Sequence, residues 1–93
     1  MIRSFADPDT AAVWGGRRAR RIPADIQKAA YRRLVDVDRA ISLGRLSRPP
    51  GNHLEALRGD RRGQHSIRVN DQWRLCFSWR EGGAYDVEIV DYH

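Results

Sequence analysis

Two strand arginines, one glutamate and a terminal histidine carry most of the chemistry this sequence offers. Ile67 and Val69 alternate with Ser66 and Arg68. Trp73, Leu75, Phe77 and Trp79 alternate with Arg74, Cys76 and Ser78. A period of two marks strands with one apolar face. If Val69 and Trp73 both face the core, the loop between them holds an odd number of residues, and Asn70, Asp71 and Gln72 fit. Arg68 then lies opposite Arg74, and Ser66 opposite Cys76, all on the non-core face. Like charges placed opposite each other are destabilising by roughly 0.2–1 kcal/mol unless an anion sits between them. The pair is therefore either a phosphate or carboxylate clamp or two solvated arginines on an exposed sheet.

Glu55 and Arg58 have the spacing of a surface carboxylate and its cation, with Leu54 and Leu57 as buried neighbours. Asp91-Tyr92-His93 closes the chain, where a histidine is ordinarily a frayed surface residue. His65 shares the parity of Ile67 and Val69 and reads as a core-edge residue; His53 reads as solvated. Cys76 stands alone, so no internal disulfide is available. Between two arginines its thiol pKa is expected to fall. No His, Cys, Asp and Glu spacing matches a zinc site. Arg17, Arg18, Arg20 and Arg21 form either a solvated connector or a phosphate contact.

These groups need elements to hold them. Ile2–Phe5 reads as a short strand. Asp7 and Pro8 look like the N-cap and first position of a short helix that ends by Gly15-Gly16. A long helix starts near Pro23, with Asp25 in its first turn. Its apolar face runs through Ile26, Ala30, Leu34, Val37 and Ile41, at steps of four, four, three and four. Arg32 and Asp36 are expected to pair across one turn, and Gly44 is the expected stop. Arg48–Asn52 reads as loop. Gly82-Gly83 reads as the last turn, followed by Tyr85, Val87 and Ile89 on one face, with an irregularity at Ile89-Val90. The expected architecture is α+β: a short strand, two helices, then an antiparallel sheet with the helices on one face.

Composition narrows the classes. The chain has 93 residues, with 17 Lys+Arg and 12 Asp+Glu, hence 17 − 12 = +5. That balance favours a polyanion or an acidic protein partner. The apolar fraction, 41%, is globular rather than disordered. No apolar run approaches the ~20 residues of a membrane helix. Arg3, Asp7 and Asp9 come too early for a signal peptide. The expectation is a cytoplasmic protein with no membrane role.

Three blocks together resemble a known family: Leu57-Arg58-Gly59-Asp60-Arg61-Arg62-Gly63, then Ser66 to Leu75, then Asp91-Tyr92-His93. They look like the HigB-type host-inhibition toxins of the RelE/ParE superfamily, found in type II toxin–antitoxin systems. Ile2-Arg3-Ser4-Phe5 adds to the likeness, which spans essentially residues 1–93 as one RelE/HigB-like domain. The resemblance implies a microbial-RNase-like sheet with two N-terminal helices. It also implies a ribosome-dependent endoribonuclease that cuts mRNA in the ribosomal A site, using the RNA's own 2′-hydroxyl and needing no metal or other cofactor.

Site roles follow from the same resemblance. Arg74 matches the family's sheet arginine, for the phosphate. Arg58 stands where relatives carry Lys or Arg, as a second cation. His93 matches the C-terminal catalytic histidine, the general acid. Asp91 would orient it, and Tyr92 would contact base or phosphate. Some HigB toxins have a histidine where Glu55 stands, whereas YoeB toxins have a glutamate in a Glu-Pro-Leu-Lys run that Glu55-Ala56-Leu57-Arg58 resembles. Glu55 is accordingly assigned as general base. Arg68, Arg61, Arg62 and the Arg17, Arg18, Arg20 and Arg21 run are assigned to RNA. The implied partners are the ribosome with its mRNA, and a HigA-like helix-turn-helix antitoxin through which alone operator DNA is reached. Two other functions remain: an interaction module and co-repressor without nuclease activity, and a gyrase inhibitor of the ParE kind, whose chains lack the terminal Asp-Tyr-His.

Overall fold

The apolar stripe of the long helix sets the layer order. In a computed structural model, which describes residues 1–92, that helix covers one face of a four-stranded antiparallel sheet. The elements are α1 (Pro8–Trp14), α2 (Ala24–Arg39), α3 (Leu43–Ser47), β1 (Glu55–Ala56), β2 (Gln64–Arg68), β3 (Trp73–Arg80) and β4 (Gly83–Asp91), with strand order β1-β2-β3-β4. Ile26, Ala30, Leu34 and Val37 of α2 pack with Ile67, Leu75, Phe77, Val87 and Ile89 of the sheet. Ile2 and Phe5 make isolated parallel bridges to Ala84 and Val87, so the N-terminal segment flanks β4 without forming a regular strand.

α1 starts as expected. The Asp7 carboxylate accepts from the Thr10 amide at 2.7 Å, with Pro8 following. Thr10 is fully buried, and its hydroxyl accepts from the Ile89 amide at 3.0 Å. This bond ties α1 to β4. Thr10→Val keeps the shape but leaves a buried N–H unpaired, which costs about 1–3 kcal/mol. Urea denaturation of the variant is expected to show that loss; an unchanged midpoint would mean that the amide finds another partner.

α2 stops before its stripe does. Ala40 takes an extended conformation (ψ 133°), and Ile41 emerges 72% exposed. Gly44 is not the stop, because Ser42 accepts from the Arg45 amide and caps α3, which buries Leu46. Asp36 pairs with Arg33 at 2.6 Å instead of with Arg32. Arg33 also donates to the side chain of buried Asn52, whose amide donates to the Leu46 carbonyl at 3.1 Å. This exchange holds the Pro-rich segment as a 3-10 turn at Pro50–Asn52 where loop was expected.

Register places the functional face. Arg68 lies opposite Arg74 and Ser66 opposite Cys76, as the loop parity requires. Asn70 secures that loop by accepting from the amides of Gln72 and Trp73, both at 2.8 Å. The next turn sits one residue earlier than expected. Arg80 pairs with Gly83, and the turn residues are Glu81 (φ 51°) and Gly82 (φ 72°), the mirror-type geometry that matches strand twist. Gly83 instead lies in β4 under the N-terminal segment, where a Cβ would come within 2.9 Å of Arg3 Cγ.

The last strand carries its irregularity at Asp86, not at Ile89-Val90. The register shifts between Cys76 and Ser78, and Asp86 adopts φ 53°. The extra residue turns Tyr85 to the non-core face, where Arg80 lies 4.0 Å from its ring, while Ala84 and Val87 stay buried.

Candidate active site

The face of the sheet away from the helices carries a cross-strand row of polar groups. Glu55 pairs with Ser66, Ser66 with Cys76, and Cys76 with Glu88, one residue from each strand. Arg74 lies on the same face, one pleat along β3. Its Nε donates to Ser66 Oγ at 2.7 Å, and its Nη2 donates to the carbonyl of His53. Its Nη1 lies 3.7 Å from Glu55 Oε1. The arginine is largely buried, at 13% exposure, whereas Glu55 is 61% exposed. Two guanidinium nitrogens are thus fixed by the protein, and the third faces an open carboxylate.

The other assigned residues divide around this centre. Arg68 faces Arg74 in register but bonds Asp71, so the two arginines take separate partners and do not form one clamp. Arg61 is drawn onto the sheet, 3.1 Å from Glu88 and 3.0 Å from Gln64. Arg58 and Arg62 are exposed, and Arg58 makes no ion pair with Glu55. Asp91 accepts from Gln72 Nε2 at 3.0 Å. Tyr92 lies across the row, its hydroxyl 3.9 Å from Cys76 Sγ, held in place by its amide donating to the Gln72 carbonyl at 2.6 Å. His93 lies outside the described residues.

A model of the HigB-like toxins, the RelE-like toxins of type II toxin–antitoxin systems, matches residues 4–93. This chain belongs to the HigB-like toxins. Toxin HigB-1 of Vibrio cholerae is 46% identical over 73 residues, 78% of this chain and 77% of that protein. Endoribonuclease HigB of Proteus vulgaris is 33% identical over 93 residues, the full length of both. Among solved structures, a YoeB–YefM complex from Staphylococcus aureus matches with a TM-score of 0.62 at 17% identity, over 100% of this chain and 98% of that one. At that identity the likeness concerns the α+β fold alone.

Electrostatics on the sheet face of this HigB-like toxin differ from expectation at one residue. Burial pushes the Cys76 thiol up, and the pull of Arg61 and Arg74 in the other direction does not overcome it. The expected fall in its pKa is therefore corrected: a fully buried thiol loses too much hydration for two nearby guanidiniums to restore. The Tyr92 hydroxyl is also pushed up, by burial first and then by Cys76. It stays a neutral hydrogen-bond donor at physiological pH. Burial opposes the charge on Arg61, and the hydrogen bond to the Glu88 carboxylate favours it.

Three contributors escaped the sequence reading: Ser66 as the anchor of Arg74, the His53 carbonyl, and the Arg61–Glu88 pair. Strand parity does put Ser66 and Glu88 on this face, since each alternates with core residues. Nothing local announces the His53 carbonyl, which reaches Arg74 because His53 takes a left-handed conformation (φ 45°) after the Pro50–Asn52 turn. The basic connector is also divided. Arg21 pairs with Asp7 at 3.0 Å and Asp9 at 2.6 Å, whereas Arg17, Arg18 and Arg20 are exposed. Ala19 between them is buried and its carbonyl accepts from Gln27. Among the described residues no group of His, Cys, Asp and Glu is arranged to hold a metal, and no helix is long and apolar enough to cross a membrane.

Proposed function

We propose that this HigB-like toxin is an endoribonuclease that cuts mRNA in the A site of the ribosome and is neutralised by a HigA-like antitoxin. The observation that carries the reading is the Glu55 carboxylate 3.7 Å from Nη1 of an Arg74 held by Ser66 and His53. A base beside a fixed cation is what 2′-hydroxyl attack on a phosphodiester requires. The full-length likeness to endoribonuclease HigB of Proteus vulgaris supports the same chemistry.

Glu55 takes the 2′-proton as the 2′-oxygen attacks phosphorus. The new O–P bond forms as the bond from phosphorus to the 5′-oxygen breaks. His93 gives a proton to that oxygen. The products are a 2′,3′-cyclic phosphate and a 5′-hydroxyl end, and no step asks for a metal. Arg74 neutralises the charge that grows on the phosphate oxygens, with Arg58 as a second cation from the rim. The Tyr92 hydroxyl, kept protonated, donates to the phosphate or packs on a base. Asp91 orients His93. Arg68 and Arg62 approach flanking phosphates, and Arg61 does so from its place beside Glu88.

Mapping of 5′ ends on a translated mRNA, with purified ribosomes and this protein, tests the reading. Cuts inside the A-site codon are expected only when ribosomes are present. They are expected to fall by about 100-fold or more in His93→Ala and in Glu55→Gln, the usual scale for one general acid or base. Full cutting by both variants would remove the assignment. No cutting by folded wild-type protein would remove the function.

A further inference from the structure

Among the described residues, Asn52 is the only buried polar side chain that lies outside α1 and the sheet. It belongs to the Pro50–Asn52 turn, whose neighbours have nothing to pack on. Arg48, Pro49, Pro50, Gly51 and His53 are all exposed, so no buried apolar side chain pins the chain between Leu46 and Leu54. An exposed segment without an apolar anchor ordinarily samples many conformations. Here hydrogen bonds take the place of packing. The Asn52 side chain accepts from Arg33 of α2 at 2.8 Å and donates to the Leu46 carbonyl of α3 at 3.1 Å. Its backbone amide donates to the Pro49 carbonyl at 3.0 Å.

The residue that follows carries the consequence. His53 takes φ 45° and ψ 56°. A left-handed conformation is uncommon outside glycine and persists where the surroundings over-determine it. It turns the His53 carbonyl onto Arg74 Nη2. The Ser66 carbonyl is a longer contact of the same nitrogen, at 3.4 Å. A planar guanidinium held only at Nε by Ser66 Oγ still swings about that contact, whereas a second contact at Nη2 fixes its plane. With the plane fixed, Nη1 stays 3.7 Å from Glu55 Oε1.

We infer that Asn52 is a positioning residue for RNA cutting: it holds the left-handed turn at His53, whose backbone carbonyl aims Arg74 at the scissile phosphate beside Glu55. The inference rests on the nuclease reading above and adds to it a residue too buried, at 1% exposure, to touch RNA itself. A buried amide is costly unless its acceptor and its donor are both used. Asn52 uses both, on two different helices, and the residue so placed is the one that reaches Arg74 from outside the sheet. The exposed His53 imidazole has no share in this role, which belongs to its backbone.

A double-mutant cycle tests it, read as single-turnover cutting on saturating ribosomes by wild type, Asn52→Ala, Arg74→Ala and the double variant, each below its melting temperature. Asn52→Ala is expected to lower the rate by up to about 100-fold, the scale of an ångström misplacement. The ribosome concentration at half-saturation is expected to stay within about 2-fold, since no binding contact is removed. In the Arg74→Ala background the same substitution is expected to change the rate by less than about 2-fold, because Asn52 acts through Arg74. Equal losses in the two backgrounds would make Asn52 a merely structural residue and overturn the inference, as would full cutting by Asn52→Ala. A second comparison holds even where Asn52→Ala does not fold. His53→Val and His53→Asn both remove the imidazole, but asparagine tolerates the left-handed region and valine does not. His53→Asn is expected to cut at least about 10-fold faster than His53→Val, a fraction of the full misplacement cost. Equal rates in these two overturn the inference as well. If wild type does not cut on ribosomes, the nuclease reading fails first; if wild type cuts and the cycle is additive, only the role of Asn52 fails.

Discussion

Arg74→Lys is expected to abolish most cutting while leaving ribosome binding nearly unchanged. Arg74 does three jobs with one planar group. Nε holds Ser66 Oγ at 2.7 Å, Nη2 holds the His53 carbonyl, and Nη1 faces Glu55 at 3.7 Å. A lysine ammonium is a point charge on a flexible stem and cannot keep two anchors while presenting a third donor. Its charge would follow the anchors or the phosphate, but not both in the right geometry. Removing one preorganised donor from a developing charge costs on the order of 10²–10³ in rate, about 2.7–4 kcal/mol. A loss of that size in single-turnover cutting on saturated ribosomes is the expected result. Arg74→Ala removes the charge as well and is expected to lose at least as much.

A control separates chemistry from folding. Ser66 is fully buried, so Arg74→Ala strands its hydroxyl and lowers stability by about 1–3 kcal/mol. Ser66→Ala leaves the arginine in place with one anchor fewer. It is expected to lose less activity than Arg74→Lys at similar thermal stability. If Arg74→Lys cuts as well as wild type, the fixed guanidinium is not what stabilises the phosphate, and Arg58 becomes the stronger candidate.

The register that builds this site was legible because parity is a local property. Three loop residues between Val69 and Trp73 force Arg68 against Arg74, and the structure keeps that pairing. The partners of the two arginines were not legible, because each comes from a different element. Asp71 closes back on Arg68 within the turn, while Arg74 is claimed by Ser66 across the strand and by His53 from 21 residues earlier. Equal spacing in sequence does not make equal chemistry once neighbours compete for each donor.

Helix ends failed for a related reason. Ile41 continues the apolar period of α2, yet Ser42 offers a cap, and starting α3 buries Leu46. A periodic stripe says where a helix is stable, not where a second start becomes better. The bulge at Asp86 is likewise silent in the alternation of Tyr85, Val87 and Ile89. Only the pairing of Phe77 against two residues of β4 reveals that Tyr85 has changed faces.

Phe77→Ala is expected to cause the largest loss of stability of any single truncation in the core. Phe77 is the largest of the fully buried side chains. It lies opposite His65 on β2, meets Trp79 edge to face at 6.5 Å and 71°, and stands against the Asp86 bulge on β4. Truncating a buried Phe to Ala costs about 3–5 kcal/mol. Domains of this size hold roughly 5–14 kcal/mol in total. At about 4–8 °C per kcal/mol, the melting temperature should fall by roughly 12 °C or more. Urea denaturation followed by tryptophan fluorescence reads the same loss. The bulge makes the site unable to collapse, because Asp86 already places an extra residue there and the neighbouring ladder bonds hold β3 and β4 at fixed spacing. A loss below about 1 kcal/mol would mean that the strands close over the cavity after all. The consequence for function follows along β3. Leu75 and Cys76 separate Phe77 from Arg74 along β3, and the ladder that keeps the cavity from closing also keeps the guanidinium in its place beside Glu55. Cutting by the folded fraction of Phe77→Ala is therefore expected to stay near wild type, and a folded fraction that cuts poorly would show that the strand shifts into the cavity and carries Arg74 with it.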